Sequence, residues 1–515
     1  MMDRRTFVSA LAGATVAAPS ILRAQSLFRA YPFALGVAAG DPAPDGFVIW
    51  TRLAPEPLAP HGGMLLAPVS VAWQVAADPA FRNVVAKGDA LARPETAHSV
   101  HVEVAGLQPG RPYWYRFEVG GERSPYGTAR TTPRLGAKLD RLRLGVVGCQ
   151  NYEDGWYTAY RHVAEESDLD FIFHYGDYIY EGRGEPMKFG AGRAVQPYVR
   201  SHVGEEIFSL DDYRRRYAQY KSDLDLQAAH ASCAWWVTFD DHEVQDNYAG
   251  LVDKHLTPPE LFAFRRAAAY QAWYEHMPVR ATSLPHGPDV QMYRRARYGD
   301  LVDMHFLDTR QFRTDQPCDD GEKPYCPAID DPKAQMMGLP EETWLAKGLR
   351  GGARWNGVAQ QVMMMPVNRR VGDQTQPTYN LDSWAGYNAP RERVLESFRG
   401  LGNVVVLTGD EHQNWVGELR RNHGQGDAVA VEFVVTSIAS GGDGSDTRPG
   451  MDEIMAENPF LKLYNYQRGY ALCEVTPDAW ETKLRVLDKV TERNMPIRTR
   501  ATITVPHGRP ELHIA

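Results

Sequence analysis

Apolar and polar positions follow two different patterns along the chain, and the change falls near residue 135. Before it, turns rich in glycine and proline separate short runs that alternate apolar and polar residues: FVIWTRL, VSVAWQVA, AHSVHVEVAGL, YWYRFEVG and YGTARTTP. A period of two is typical of strands with one buried face, and closely spaced short strands favour an antiparallel sandwich. The pattern therefore predicts a small β-sandwich over residues 30–135.

After residue 140 the chain alternates between apolar, strand-like runs and longer segments with helical spacing. The predicted strands are RLRLGVVG, DLDFIFHYG, ASCAWWVTF, LVDMHFLDTR, VAQQVMMMP, NVVVLTG and VAVEFVVTSI, and the predicted helices are GWYTAYRHVAEES, LDDYRRRYAQYKSDL and PELFAFRRAAAYQAWYEH. YALCEVT and WETKLRVLD are predicted to form a late antiparallel pair. This alternation predicts a layered α/β core over residues 140–505, with mixed strand directions near its end.

One segment of the first region, LQPGRPYWYRFEVGG, resembles a fibronectin type III domain, in which a turn leads into an aromatic strand. PRLGAK, at residues 133–138, is the predicted linker to the second region. The predicted fold class is therefore α/β: a layered core with mixed sheets, preceded by an N-terminal sandwich of the fibronectin type III kind.

The first 25 residues have the composition of a targeting segment. Arg4 and Arg5 precede a short, alanine-rich apolar run, and Leu22-Arg23-Ala24 is a plausible cleavage site. A twin arginine before a weakly apolar run is typical of a bacterial Tat signal, and the run is too short to span a membrane. We predict a Tat signal peptide over residues 1–25, recognition by the Tat export machinery, and a periplasmic or secreted mature chain without a membrane span.

Charge and cysteine content narrow the function classes. The 515-residue chain carries a formal net charge of −9, which argues against a general nucleic-acid binder because such proteins normally present a basic face. Five cysteines are too few for a disulfide scaffold. Cys318 and Cys326 flank a short loop and suit one bridge in an oxidising compartment, whereas Cys233 and Cys473 lie in apolar runs and are predicted to be buried. Cys149 stands at a strand end.

Side chains that bind metals recur where the apolar runs end. They follow GVVG, FIFHYG, WWVTF and VVVLTG, and are Cys149, Asp177, Tyr180, Asp241, His242, Asn247, Asp410 and His412. In an open α/β sheet the carboxyl ends of the strands line one crevice, so we expect these residues to meet. Their mixture of thiolate, phenolate, carboxylate, amide and imidazole indicates a mixed metal centre rather than an acid/base pair.

The first predicted metal is a ferric ion. Tyr180 and Cys149 offer a phenolate and a thiolate, which together favour such an ion because it keeps both groups deprotonated. His412 would complete this half with an imidazole nitrogen. Asp177 follows a glycine that allows a sharp turn, and its carboxylate can bridge two cations.

The second predicted metal takes hard oxygen ligands. Asn247 and Asp410 offer them, and such ligands suit calcium, magnesium or manganese. Two ions about 3.5–4 Å apart are a standard arrangement for hydrolysing phosphate esters. Arg183, in YEGRGE, is a candidate phosphate clamp. His242 either protonates the leaving group or hydrogen-bonds to a metal ligand.

These motifs also resemble the PhoD-type alkaline phosphatases of the calcineurin-like metallophosphoesterase superfamily. The matching segments are GVVGCQNYEDGWYTAY, FHYGDYIYEG, VTFDDHEVQDN, MHFLDTRQFR, QQVMMMP, DSWAGYNAPRERVL, LTGDEHQNW and EFVVTSIASGG. The resemblance implies an exported phosphomonoesterase or phosphodiesterase that uses Fe³⁺ and Ca²⁺ on phosphate esters at alkaline pH. It places iron on Cys149, Asp177, Tyr180 and His412, and calcium on Asp177, Asn247 and Asp410.

Two positions stay open within this assignment. Asp241 stands where other metallophosphoesterases carry an asparagine, so either Asp241 or Asn247 is the ligand of the second ion, and Asp241 and His242 are grouped with Arg183 as catalytic candidates. Asp443, in SGGDG, is a weaker candidate for a further calcium.

Three other functions are compatible with parts of the sequence. A phospholipase D-like phosphodiesterase would use the same scaffold and metals, and the choice depends on the room that the loops at 185–210 and 311–335 leave for a second ester substituent. A surface-binding protein with a degenerate site would have lost ligands, and none is missing. A purple acid phosphatase needs more histidines and an Asn-His pair, where this chain has Asp241-His242.

Overall fold

The structure, a computed structural model, describes residues 28–183 and 198–515. The predicted Tat signal lies outside these residues, as does the first half of the 185–210 loop. Among the helices within the two described ranges, none combines the length and the apolarity that a membrane crossing requires.

The strands, in chain order, alternate with helices after the first quarter of the chain. The strands are β1 (Val37–Ala43), β2 (Gly46–Arg52), β3 (Val69–Ala76), β4 (Val84–Ala92), β5 (Ser99–Val104), β6 (Pro112–Val119), β7 (Glu122–Arg123), β8 (Gly127–Arg130), β9 (Leu142–Val147), β10 (Phe171–His174), β11 (Ala234–Val237), β12 (Arg294–Tyr298), β13 (Val302–Phe306), β14 (Glu322–Pro324), β15 (Trp355–Ala359), β16 (Thr378–Asn380), β17 (Val404–Thr408), β18 (Asn414–Arg420), β19 (Ala428–Val434), β20 (Leu461–Asn465), β21 (Arg468–Val475), β22 (Ala479–Leu487), β23 (Ile497–Pro506) and β24 (His513–Ile514). The helices of seven or more residues are α1 (Thr158–Glu165), α2 (Leu210–Lys221), α3 (Leu224–Ser232), α4 (Pro259–His276), α5 (Leu339–Gly348), α6 (Asn388–Phe398) and α7 (Met451–Glu457).

A ten-stranded sheet joins the N-terminal region to the core. Its order is β24-β23-β22-β21-β9-β10-β11-β1-β2-β5. Strands β9, β10 and β11 are parallel, and β1 continues them in parallel, with Ala39 opposite Ala234. The predicted antiparallel pair at the end is confirmed as β21 and β22. Main-chain hydrogen bonds therefore run from the N-terminal region into the core without a break.

A second N-terminal layer completes a β-sandwich. Strands β4, β3, β6 and β7 form it, with β8 paired to β6. Phe47 and Val100 from the first layer share a buried cluster with Val71 and Tyr115 from the second. The likeness of this sandwich to fibronectin type III stays a prediction.

A seven-stranded sheet, β12-β13-β15-β17-β19-β18-β20, forms the other half of the core, and β13, β15, β17 and β19 are parallel. The two large sheets pack face to face through side chains such as Leu144, Phe173, Met304 and Leu407. Helices α1 to α4 cover the outer face of the first sheet, and α5 to α7 cover that of the second. The predicted layered α/β core is thereby confirmed.

Helix α4 spans the predicted segment in full because Phe262, Ala269, Tyr270 and Trp273 lie on its buried side. The run VAQQVMMMP, in contrast, is a strand only as far as Ala359, so this prediction is wrong beyond that point. The backbone N–H groups of Met364 and Met365 donate to the buried carboxylate of Glu432 at 2.7 and 2.8 Å, which replaces the pairing that a neighbouring strand would supply.

Candidate metal centre

The candidate ligands lie where loops from both large sheets meet. Cys149 follows β9 and Asp177 follows β10 in the ten-stranded sheet, whereas Asp410 and His412 follow β17 in the seven-stranded sheet. The sequence predicted that these residues meet at the carboxyl ends of the strands of one open sheet; they do meet, but their strands belong to two sheets. The site draws on two sheets because their packed faces bring the carboxyl ends of parallel strands from both to one place.

Three different side chains surround one oxygen of Asp177. The Cys149 Sγ lies 3.3 Å from Asp177 Oδ2, and the Tyr180 Oη lies 3.0 Å from the same oxygen. His412 Nε2 lies 3.1 Å from Tyr180 Oη and 3.9 Å from Asp177 Oδ2. The structure thus brings together a thiol, a carboxyl, a phenol and an imidazole, which the sequence assigned to one metal.

Backbone conformation marks the same residues. The φ angles of Cys149, Asp177, Asn247, Asp410 and His412 are 48°, 57°, 52°, 67° and 54°. Positive φ is uncommon for residues with a side chain and costs of the order of 1 kcal/mol or more, so it persists where surrounding structure enforces it. Such residues concentrate at functional sites, and here they coincide with five of the six predicted metal ligands.

Two glycines allow the ligand loops to approach each other. The ring of Tyr175 packs between Gly148 and Gly409, where a Cβ would lie 2.2 and 2.1 Å from ring carbons. Its hydroxyl donates to the Thr436 carbonyl at 2.9 Å. The Tyr175 ring therefore leaves no room for a side chain at the residue before Cys149 or at the residue before Asp410, and it packs between the two loops that carry these ligands.

A cluster of carboxylates adjoins the first four ligands. Asp177, Asp240, Asp241 and Asp410 each offer an oxygen, and these oxygens lie within 4.8 Å of one another. Among the described residues, Asp177 Oδ1 and Asp240 Oδ2 are buried without a hydrogen-bond partner. Burial and the neighbouring carboxylates raise the pKa of Asp177 and of Asp410 well above the usual range. Unpartnered anionic oxygens at this spacing fit a bound cation.

Burial and the neighbouring charges also shift the pKa values of the other candidate ligands. Burial, with the carboxylates of Asp177 and Asp410, raises the pKa of the Cys149 thiol well above its usual value, and burial likewise raises the pKa of Tyr180. Burial and the nearby Arg468 lower the pKa of His412 to about 3, so the imidazole is neutral and able to bind a metal. Metal binding would displace the protons from the thiol and the phenol.

Asp240, which sequence reasoning missed, joins the cluster through Arg310. Arg310 is fully buried and donates through Nε to Asp240 and through Nη1 to Asp382 Oδ1 at 2.9 Å. Its Nη2 lies 3.5 Å from Asp241 Oδ1. Arg310 and Asp382 were missed as well, although Arg310 follows the end of β13 just as the predicted ligands follow their strands.

His242 lies beside the cluster and is held on one side. Its Nδ1 is 2.7 Å from Glu181 Oε2, and its ring lies 4.1 Å from that of Tyr180. Burial would lower the pKa of His242, but the carboxylates of Asp241 and Glu181 outweigh it and raise that pKa well above its usual value. Solvent reaches this side, since the His242 and His412 side chains are 19% and 30% exposed while Asp177 is buried.

The other predicted site residues take different positions. Asn247 donates its backbone N–H to Asp241 Oδ2 at 2.7 Å. Asp443 accepts hydrogen bonds from the backbone of Val490 and Thr491, which supports a loop. Arg183 is 66% exposed and forms an ion pair with Glu205. Its role as a phosphate clamp stays a prediction.

The cysteines outside the site behave as the sequence indicates. Cys318 and Cys326 form the predicted disulfide, and Cys233 and Cys473 are buried.

Comparison with known proteins decides the family. The sequence profile of the PhoD-like phosphatase family matches residues 144–484, and that of the PhoD-like phosphatase N-terminal domain matches residues 17–133. The chain belongs to the PhoD-like phosphatase family. This PhoD-like phosphatase is 47% identical to "Alkaline phosphatase D" of Bacillus subtilis (strain 168) over 482 residues, which cover 92% of this chain and 81% of that one.

Solved structures agree with the family. The PhoD-like phosphatase superposes on a structure described as "Structure of PhoD" with a TM-score of 0.91 and 46% identity, covering 95% of this chain and 93% of the other. A purple acid phosphatase, PPD1 from yellow lupin (Lupinus luteus), has a TM-score of 0.52 at 10% identity and covers 89% of this chain and 72% of its own. That likeness shows a shared fold alone, while the profile matches confirm the family that the motifs indicated.

Proposed function

We propose that this PhoD-like phosphatase is an exported, metal-dependent alkaline phosphatase that hydrolyses phosphate monoesters with Fe³⁺ and Ca²⁺. Family membership and the identity to Alkaline phosphatase D support the activity. The observation that carries metal dependence is the set of thiol, phenol and imidazole around Asp177, beside carboxylate oxygens that lack partners among the described residues.

The residues divide into two halves that share Asp177. Cys149, Tyr180 and His412 would hold the ferric ion with it, because a phenolate and a thiolate favour that ion. Asp410 and Asn247 would hold calcium with Asp177, since calcium prefers carboxylate and amide oxygens. The cluster adds Asp240 and Asp241 as further oxygen donors on this side. When bound, the two cations supply polarisation of the phosphoryl oxygens and activation of a water molecule.

His242 is the proposed proton donor to the leaving group. Glu181 accepts from Nδ1 and fixes the ring, which leaves Nε2 for a substrate oxygen. The carboxylates of Asp241 and Glu181 raise the pKa of His242, which favours the protonated imidazole that a proton donor needs. Asp241, whose Oδ2 lies 3.9 Å from Nε2, stabilises the imidazolium before the proton leaves.

Export is supported by two features of the chain. The twin arginine at Arg4 and Arg5 is typical of a Tat signal. The Cys318–Cys326 disulfide fits an oxidising compartment, where such bonds persist. The periplasm or the extracellular medium is therefore the proposed location.

Hydrolysis rates on three esters test this function. The metal-loaded enzyme is expected to hydrolyse p-nitrophenyl phosphate and glycerol phosphate faster than bis(p-nitrophenyl) phosphate. His242→Gln is expected to lower kcat on glycerol phosphate by about 100-fold or more, the size of a general-acid contribution. The loss on p-nitrophenyl phosphate should be much smaller, because nitrophenolate leaves without a proton.

His255→Gln serves as the matched control, since His255 is an exposed histidine on a nearby loop, and it should leave all three rates unchanged. Absence of hydrolysis by the wild type would overturn the proposed function. A higher kcat/KM on the diester would favour the phosphodiesterase instead. An equal loss on both monoesters would remove His242 as the proton donor.

A further inference from the structure

The disulfide closes a loop that lies against two of the ligand-bearing loops. We call residues 318–326, which the Cys318–Cys326 bond closes, the disulfide loop. On one side its Asp320 Oδ2 accepts a hydrogen bond from Asn247 Nδ2 at 2.8 Å. On the other side Glu322 accepts from Arg369, which also donates to Glu411. Since Glu411 stands between Asp410 and His412, the loop is connected to both halves of the candidate metal centre.

Further contacts hold the disulfide loop in this position. Its strand β14 pairs with β16, and the Gly321 carbonyl accepts from the Leu381 N–H at 3.0 Å. Gln316, just before the loop, donates to the Asn247 carbonyl and to Asp382 Oδ1, both at 2.7 Å. The disulfide loop is therefore part of the wall of the site.

The contact with Asp320 decides which way the Asn247 amide faces. A carboxylate accepts hydrogen bonds and cannot donate, so the Asn247 NH₂ must point to Asp320. The amide oxygen is then on the other side of the group. Because Ca²⁺ binds amide oxygens and not NH₂ groups, this orientation is the one that a calcium ligand requires.

The backbone of the disulfide loop depends on its closure. The φ angles of Cys318, Asp319 and Asp320 are 57°, 64° and 30°, three successive residues in a region that side chains disfavour, and Gly321 follows at 82°. The cross-link adds to the contacts that hold these residues in this conformation, so breaking it would remove part of the constraint on the position of Asp320. Cys318 is exposed, so a reductant reaches the bond.

We infer that Asp320, held in place by the Cys318–Cys326 disulfide, is a positioning residue that sets the calcium affinity of the site by orienting the Asn247 amide. This rests on the proposed function, in which Asn247 is a calcium ligand. Breaking the disulfide weakens calcium binding and leaves the iron half unchanged. Because disulfides form in oxidising compartments, the calcium half is completed there.

Calcium titration of iron-loaded protein tests the inference. The full chain is freed of calcium with EGTA and titrated with Ca²⁺ by calorimetry, and its iron content and visible spectrum are recorded in parallel. Asp320→Asn is expected to raise the Kd for Ca²⁺ by about tenfold or more, in the range seen for groups that orient metal ligands. An amide at 320 donates as well as accepts, so it no longer forces the orientation of Asn247. The Cys318→Ser/Cys326→Ser double variant should change the Kd in the same direction.

Asp319→Asn is the matched control, because it removes the same charge from the neighbouring, exposed position of the same loop. Its Kd should stay within about twofold of the wild type, and the iron content of every variant should be unchanged. If the serine variant does not fold, the Cys318→Ala/Cys326→Ala variant replaces it.

Wild-type calcium affinity in Asp320→Asn, with turnover retained, would overturn this inference and leave the proposed function intact. An equal rise of the Kd for Ca²⁺ in Asp319→Asn would also overturn it, because the effect would then come from the loss of a negative charge and not from the orientation of Asn247. A wild-type protein that binds no calcium would overturn the inference together with the calcium half of the proposed function.

Discussion

Replacing Asp177 by alanine is expected to lower kcat/KM for p-nitrophenyl phosphate by at least about a thousandfold, because losing one electrostatic stabiliser commonly costs about 100- to 1,000-fold and Asp177 serves both halves of the site. Its Oδ2 is contacted by Cys149 and Tyr180, and its Oδ1 is buried without a partner among the described residues. The variant should also lose iron and calcium, which metal analysis of the purified protein measures.

Asp478→Ala is the control for this substitution, since the Asp478 side chain is 96% exposed and pairs with Arg354 far from the ligands. It should keep wild-type activity and metal content. Hydrolysis at the wild-type rate by Asp177→Ala would refute a site in which one carboxylate joins two cations.

Replacing Arg310 by methionine is expected to lower the free energy of unfolding of the metal-free protein by about 3–5 kcal/mol, the cost of removing one partner from a buried ion pair. Arg310 is fully buried and contacts Asp240, Asp241 and Asp382. Methionine leaves these carboxylates close together without a counter-charge. Urea unfolding followed by tryptophan fluorescence measures the change.

Arg399→Met is the matched control, because Arg399 is 69% exposed and pairs with Glu396 on the surface. Exposed pairs contribute about 0–1 kcal/mol, so its effect should not exceed that. A change of similar size in both variants would show that Arg310 does not compensate the carboxylate cluster.

The strand-end pattern predicted most of the site because it depends on local sequence. Each apolar run must end where its buried strand ends, and Cys149, Asp177 and His412 stand within four residues of such ends. The pattern of apolar and polar residues indicates which segments are strands, but it does not indicate which sheet each strand joins. The meeting of loops from two sheets therefore could not be predicted from the sequence.

The missed residues have a different cause. Asp240 stands next to Asp241, which the sequence did single out, and the turn after β11 places an oxygen of each in the cluster; no pattern in the sequence shows that the first of two adjacent carboxylates also joins it. Arg310 and Asp382 act through a contact between residues 72 positions apart.

Arg183 stands three residues after Tyr180 in sequence, and its pairing with exposed Glu205 shows that closeness along the chain does not fix where a long side chain points.

Metal content and the visible spectrum of the purified wild-type protein test the central claim most directly. About one iron and at least one calcium per chain are expected, with visible charge-transfer absorption from the phenolate and the thiolate, of which the phenolate part disappears in Tyr180→Phe. A colourless, iron-free protein that retains full phosphatase activity would contradict the assignment of Cys149, Asp177, Tyr180 and His412 to a ferric ion.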